Sequence, residues 1–473
     1  MGKLIIVSNR APALDSANDA GGLVVALKGA MRGSGGLWVG ASPEIAETPR
    51  DALAFGHRED FDIGWFDLTE SDHRDYYLGY ANSVLWPVFH GRVDLMEVKP
   101  GYAEAYVRVA KRIARLLAPH IEPDDLVWVH DYQVIPVAEE LRKLGLTNTM
   151  GFFLHIPVPD MQAFAAIPEY MDIGRWLAAY DLLGLQTQRD VANMIDVFRH
   201  AMRGEWLPRG DMQVGGRQVR LMSFPISIDV DEFQATAERS AAQMDSPAQY
   251  RIIGVDRLDY SKGLPQRFRG YQTFLDRYPH HRGTVSLLQI APPSREGVAA
   301  YRAIRDELER MAGHINGEFG RIDWVPIHYI HRQVPRAELA GLYRHSHICL
   351  VTSLVDGMNL VAKEFIAAQN HDDPGVLILS RFAGAFEEMK EALIINPHDP
   401  EEIADALDTA LSMDRAERRR RHGALYDRIA ANCVERWSER YLQELSAIQA
   451  GSQREPELDL PSPAVAGAGN AIV

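Results

Sequence analysis

"SLVDGMNLVAKEF", residues 353–365, is the stretch whose reading decides the fold. The apolar run "HICLVTS" leads into it. An aspartate, a glycine and an asparagine follow, and an apolar-periodic segment then begins at Leu360 and carries Lys363 and Glu364. Strand, polar turn, helix is the grammar of an α/β crossover. The first N–H groups of such a helix have no partner within it and suit phosphate or sugar oxygens. A carboxylate inside the helix, Glu364, suits ribose hydroxyls.

The same grammar recurs along the chain. "LIIVS" (4–8), "LVWVH" (126–130), "MGFFLHI" (150–156), "LLGLQT" (182–187) and "RLMSFPI" (220–226) read as buried strands of a first half. "YRIIGV" (250–255), "VSLLQIA" (285–291), "ICLVTS" (348–353) and "GVLILS" (375–380) read as those of a second. Near-continuous apolar strands separated by amphipathic helical segments, such as 103–118, imply parallel sheets covered on both faces. The expected fold is therefore two Rossmann-like, doubly wound domains with the ligand in the cleft between them. The polar stretch 229–248 lacks strand character and marks the boundary. Residues 415–448 read as one or two long helices, with "RRRR" (418–421) as a solvated face. From Gly451 onward the chain is rich in Pro, Gly, Ala and Ser, lacks a periodic face, and reads as a disordered tail.

The chain's 473 residues exceed what one core organises. Its formal net charge of −15 argues against nucleic acid or an anionic membrane as partner, but not against a phosphorylated metabolite held by a few local cations. The two cysteines, Cys349 and Cys433, suggest neither a disulfide framework nor a metal site. The N-terminal apolar run is too short for a signal peptide or a membrane span, so a cytoplasmic enzyme is expected.

In open α/β sheets ligands bind beyond the carboxyl ends of the strands. After 4–8 come Asn9 and Arg10, then Gly21-Gly22 opening a helix, where the backbone can meet an anion. After 126–130 come His130, Asp131 and Tyr132; after 150–154 comes His155. These suit sugar hydroxyls or acid–base work. After 250–255, "DRLDYSKGLPQR" sets Arg257 and Lys262 beside a helix start, which suits a diphosphate. After 285–291, "PPSR" brings Arg295. Last come Asp356, Gly357, Met358 and Asn359. Tyr76, Tyr77, Tyr80 and Trp86 stand in a poorly periodic stretch (74–90), most of them read as core and one or two as lining the cleft.

On "VSNRAP", "GGLWVG", "YYLGYANSVLWPVFH", "VWVHDY", "GFFLHIPVP", "DLLGLQT", "DRLDYSKGLPQR", "QIAPPSR", "INGEFG", "DGMNLVAKEF" and "PGVLILSRFAG", the chain resembles the trehalose-6-phosphate synthase family of retaining glucosyltransferases. The resemblance runs from residue 4 to about 384, in family order. It implies the GT-B architecture: an acceptor-binding domain over 1–235, a nucleotide-sugar-binding domain over 236–436, and a helix over 437–450 crossing back to the first domain, before the tail 451–473. It implies that Arg10, Tyr77, Trp86, Asp131 and Arg295 hold glucose 6-phosphate. Gly21, Gly22, His155, Arg257, Lys262, Asp356, Gly357, Met358, Asn359, Leu360 and Glu364 would hold the nucleotide-glucose, expected to be UDP-glucose. Asp131, His155, Arg257, Lys262 and Asp356 are the implied catalytic residues. The sequence departs from the family pattern at Ala41, usually Trp and near the implied acceptor side; at Ser353 and Val355, within what is usually "TPLRDGMN"; and at Arg108, usually Asn.

Asp229-Val230-Asp231 offers an Asp-x-Asp metal motif, but its place before a helix reads better as a cap. The resemblance implies no metal and no cofactor, with Arg257 and Lys262 taking the metal's place and the nucleotide sugar as co-substrate. No carboxylate nucleophile is assured on the far face of the sugar, so a front-face transfer is expected. Two other functions stay open: a transferase of this fold with a different phosphorylated acceptor, and a catalytically silent sugar-phosphate sensor. With no phosphatase domain visible, a separate phosphatase is expected to release trehalose. The sequence leaves the nucleotide base and any homo-oligomer undecided.

Overall fold

The structure is a computed structural model that describes residues 2–12, 22–31, 35–58, 60–207, 210–240, 248–294 and 299–451. The first sheet contains β1 (Leu4–Arg10), β2 (Leu37–Ile45), β3 (Ala54–Arg58), β4 (Phe61–Leu68), β5 (Leu126–His130), β6 (Met150–Phe153), β7 (Leu182–Leu185), β8 (Glu205–Trp206), β9 (Asp211–Val214) and β10 (Arg217–Ser223), in the order β3-β4-β2-β1-β5-β6-β7-β10-β9-β8. From β4 to β10 the neighbours are parallel; β3, β9 and β8 join antiparallel at the edges. The second sheet contains β11 (Tyr250–Val255), β12 (Val285–Ile290), β13 (Ile327–Ile330), β14 (Ile348–Val351), β15 (Val376–Ser380) and β16 (Leu393–Ile395). It is parallel throughout, in the order β13-β12-β11-β14-β15-β16. Counted from its own first strand this is 3-2-1-4-5-6, the doubly wound order.

The apolar runs read as strands are the central ones. Ile5, Ile6, Val7, Val127, Trp128, Val129, Ile252, Ile253, Leu350 and Ile378 are fully buried or nearly so, as two covered faces require. Most of the strands that the pattern does not announce lie toward the margins; β2, buried over Leu37–Ala41 between β1 and β4, is an interior exception. In β4, "FDIGWFDL" is broken by Asp62 and Gly64; β13, "IHYI", is an edge strand and half-buried along most of its length. Helix Val230–Arg239 occupies the polar stretch at the expected boundary; Asp229 caps it, accepting from Glu232 N at 2.9 Å. Among the described residues, no helix is long and apolar enough to cross a membrane.

Residues 415–448 form two helices, Arg415–Ala431 and Val434–Gln449. The arginine run is not simply a solvated face. Arg418 pairs with Asp373 (2.8 Å) and donates to the Pro374 carbonyl, while Arg421 bonds Glu417 and the Glu391 carbonyl (2.8 Å each), so both fasten the helix to loops of the second half. Helix Val434–Gln449 lies on the first sheet. Trp437 Nε1 donates to the Phe224 carbonyl (3.1 Å). Tyr441 Oη donates to the Phe152 carbonyl (3.1 Å), its ring stacked 4.4 Å from that of Trp128. The floor beneath Tyr441 is glycine for a steric reason: a Cβ on Gly151 would come 2.3 Å from Tyr441 Oη, and one on Gly184 2.6 Å from the ring. The part of the expected tail from 452 onward lies outside the described residues.

Tyr441→Ala opens a cavity against that floor. It should lower the unfolding free energy by about 3–5 kcal/mol, read as an earlier denaturation midpoint at unchanged slope. An unchanged midpoint would mean that this helix does not hold the first sheet.

Candidate functional site

Strand order reverses between β11 and β14 in the second sheet and between β1 and β5 in the first. The segments that leave β5, β11 and β14 line one cleft, and Arg267 fixes the second sheet's contribution. Its guanidinium is fully buried and donates to Asp256 Oδ2 (2.7 Å), Gln289 Oε1 (2.8 Å) and Thr352 Oγ1 (3.1 Å), groups at or just beyond the ends of three strands. Burial pushes the Asp256 carboxyl up, with Arg267 opposing.

With those ends fixed, the turn carrying Lys262 meets the turn carrying Asp356. Lys262 Nζ lies 2.6 Å from Asp356 Oδ2. The same oxygen accepts from Ser353 Oγ (3.0 Å) and Asn359 Nδ2 (3.1 Å). Burial alone would raise the Asp356 pKa; the Lys262 charge and the donated bonds outweigh it and hold the group below the usual carboxylate range. The departure at Ser353 thus supplies a buried hydroxyl donor to this carboxylate. Asn359 sits in the left-handed region (φ 79°), which asparagine tolerates, and caps helix Leu360–Ala368 by accepting from Ala362 N at 3.1 Å. Gly357 is pressed against the first sheet: a Cβ there would lie 2.2 Å from the His155 carbonyl oxygen.

Across the cleft, Asp131 also has positive φ (76°); its N–H donates to the Phe153 carbonyl (2.8 Å) and its Oδ1 accepts from His155 N (3.2 Å). Burial pushes the His155 imidazole down to about 3, so it is neutral near pH 7. Glu364 lies farther along the cleft, where burial pushes its carboxyl up to about 7 with Arg336 opposing.

The cleft has a volume of about 570 Å³, and Asp131, His155, Arg257, Lys262, Asp356, Met358, Asn359, Leu360 and Glu364 all line it. Trp86 is buried beside it, with the Arg257 guanidinium 5.7 Å from its ring centre. Arg10 and Tyr77 pair with each other at 5.9 Å and are not among the lining residues. Gly22 opens helix Gly22–Met31; Gly21 and Arg295 lie outside the described residues.

Several lining residues went unread in the sequence: Ser227, Gln186, Arg336 and Tyr343. Arg336 starts a helix just after β13, the edge strand that gave no signal. It pairs with Glu232 (2.8 Å) and lies over the Phe233 ring. The poorly periodic stretch 74–90 has its explanation too. His73–Leu85 is π-helical, with the Trp86 N–H bonded to the Ala81 carbonyl, so apolar residues do not recur at 3.6. Tyr76 and Tyr80 are buried there. Arg108 pairs with Asp72 (3.0 Å), which Arg112 also contacts (2.8 Å).

The sequence matches Glycosyltransferase family 20 over residues 5–447, and the chain belongs to that family. A trehalose-6-phosphate synthase from Klebsiella pneumoniae subsp. pneumoniae is 45% identical over 464 residues, which cover 96% of this chain and 97% of the relative. The crystal structure of a UDP-forming α,α-trehalose-phosphate synthase from Burkholderia xenovorans, in complex with glucose 6-phosphate, superposes with a TM-score of 0.89 at 41% identity, covering 94% of this chain and 100% of that one. An Escherichia coli structure of the same kind, bound with UDP-2-fluoro glucose, also gives 0.89, at 40% identity and covering 94% and 99%.

Glu364 supplies a pH test of the geometry. Its folded pKa of about 7 lies above the ordinary 4.5. Its contribution to stability is therefore full below 4.5 and lost as pH rises toward 7. Relative to Glu364→Gln, the parent should lose stability across that window and run parallel above it. A constant difference in denaturation midpoints across the window would show that Glu364 is not buried in the free protein.

Proposed function

We infer that this chain transfers glucose from UDP-glucose to glucose 6-phosphate with retention of configuration, giving α,α-trehalose 6-phosphate. The observation that carries the reading is the composition of the cleft. Two cations, Arg257 and Lys262, and the N-terminus of helix Leu360–Ala368 face Asp131 and His155 across one cavity. The nucleotide sugar is a co-substrate.

The roles follow from chemistry. As the glycosidic bond to the diphosphate breaks, negative charge develops on the leaving oxygen, and Arg257 and Lys262 neutralise it. No metal is needed for that step. The amides of Gly357, Met358, Asn359 and Leu360 at the helix start bind the donor's sugar and phosphate oxygens, and Asp356 orients the turn that presents them. Glu364 binds the ribose. Asp131 and His155 bind hydroxyls of the transferred hexose, and Arg10, Tyr77, Trp86 and Arg295 hold the acceptor and its phosphate. In this reading residues 1–235 form the acceptor half, 236–436 the donor half, and 437–450 the return helix. The product keeps its phosphate, so a phosphatase activity must follow to yield free trehalose.

Incubation with UDP-, GDP- or ADP-glucose and glucose 6-phosphate, with the disaccharide phosphate identified, tests the reading. UDP-glucose should be the best donor, and turnover should survive EDTA. Absence of the disaccharide, or full loss of turnover in EDTA restored by Mn²⁺, would reject the corresponding part. Arg257→Ala should lower kcat about 10²–10³-fold; a rise in KM alone would make Arg257 a ground-state anchor instead.

A further inference from the structure

One contact at the cleft is not used by that reading. His130 ends β5 with its side chain wholly buried. Its ring lies 5.4 Å from that of His155 at an interplanar angle of 25°, with Trp128 4.4 Å away. His130 Nδ1 is 3.1 Å from His155 Nε2, while His130 Nε2 is sealed from solvent and has no hydrogen-bond partner. Burial pushes both imidazoles well down, so both are neutral.

Two neutral imidazoles hold two N–H protons on four nitrogens, and a hydrogen bond between them uses one. There are two ways to distribute them. If His155 donates, the proton of His130 sits on Nε2, a donor shut away from every acceptor, which costs the full desolvation of that group. If His130 donates, no N–H is buried without an acceptor, a rare state in folded proteins; Nε2 carries only a lone pair and the proton of His155 moves to Nδ1. His155 lines the cleft and its Nε2 is occupied by His130, so Nδ1 is the nitrogen left for water or ligand.

We propose that His130 is a positioning residue: it donates its Nδ1–H to His155 Nε2 and so fixes His155 as an Nδ1–H donor facing the cleft. On the glucosyltransferase reading, on which only this last step rests, that N–H bonds a hydroxyl oxygen of the transferred hexose. His155 then acts as a donor and not as a proton acceptor.

The test is nitrogen-15 NMR of the imidazoles in the ligand-free full chain, which reports the protonated nitrogen of each ring. Both His130 and His155 should be protonated at Nδ1; protonation of either ring at Nε2 overturns the proposal. His130→Phe keeps the ring volume and removes the donor. It should release His155 to mixed tautomers and lower kcat about tenfold, the loss of one such bond, with KM for glucose 6-phosphate unchanged. His130→Asn places an amide N–H where Nδ1 stood, and should keep the His155 signature and most of kcat. If His130→Phe leaves the His155 spectrum unaltered, or if the two variants lose kcat equally, packing governs and the proposal fails. If the parent protein transfers no glucose, the functional reading fails, and the spectra still decide between the tautomers.

Discussion

The second half of this molecule depends on a single buried guanidinium. Taking Arg267 out of water is costly, and the cost is offset only because each face of its fork finds a partner, one of them charged. Those partners belong to β12 and to the ends of β11 and β14, so one side chain fixes the relative positions of three strand ends. The two turns that follow β11 and β14 inherit that precision. Lys262 and Asp356, 94 residues apart in sequence, meet at 2.6 Å because of it. The ion pair between them compensates both charges, and Lys262 lines the cleft, within reach of an anion.

A second group of charges holds the two halves in register. Lys363, buried on the helix that follows the Asp356 turn, donates to the Ile226 carbonyl (2.8 Å) and to Glu388 (2.6 Å). Asn432 bonds Glu388 as well (2.7 Å). The neighbouring Glu387 accepts from the N–H groups of Gln188 and Arg189, at the positive end of helix Gln188–Met202. Elements of the second half thus bind the chain just before the crossover and a helix of the first half. The close approach of Gly357 to the His155 carbonyl is the steric counterpart of these contacts.

How much of this could be read from the sequence depended on burial. Central strands such as "YRIIGV" and "ICLVTS" are apolar because both faces are covered, and they were legible with nearly correct limits. Edge strands such as β13 face solvent on part of their surface, carry His and Tyr, and gave no signal; Arg336 was lost with them. Polar residues immediately after a legible strand were found, because position alone marks them: Asp131, Arg257 and Asp356 are of this kind. Residues that act through the body of another element were missed or given another role. Arg267 lies inside a helix and was not singled out; His130, read as suited to a sugar hydroxyl, is instead buried at the end of its strand against His155. The π-helical segment defeated periodicity for a different reason, since its repeat is not the one that a 3.6-residue reading looks for.

The return helix bears on the order in which the chain takes shape. Tyr441 and Trp437 cover a face of the first sheet, yet Tyr441 follows the Phe152 and Leu182 carbonyls it meets by 289 and 259 residues. Until these two residues emerge, the glycine floor at positions 151 and 184 stays open although the strands that form it have already been made. Vectorial synthesis therefore cannot close that face of the first sheet until the second half and helix Val434–Gln449 have been made.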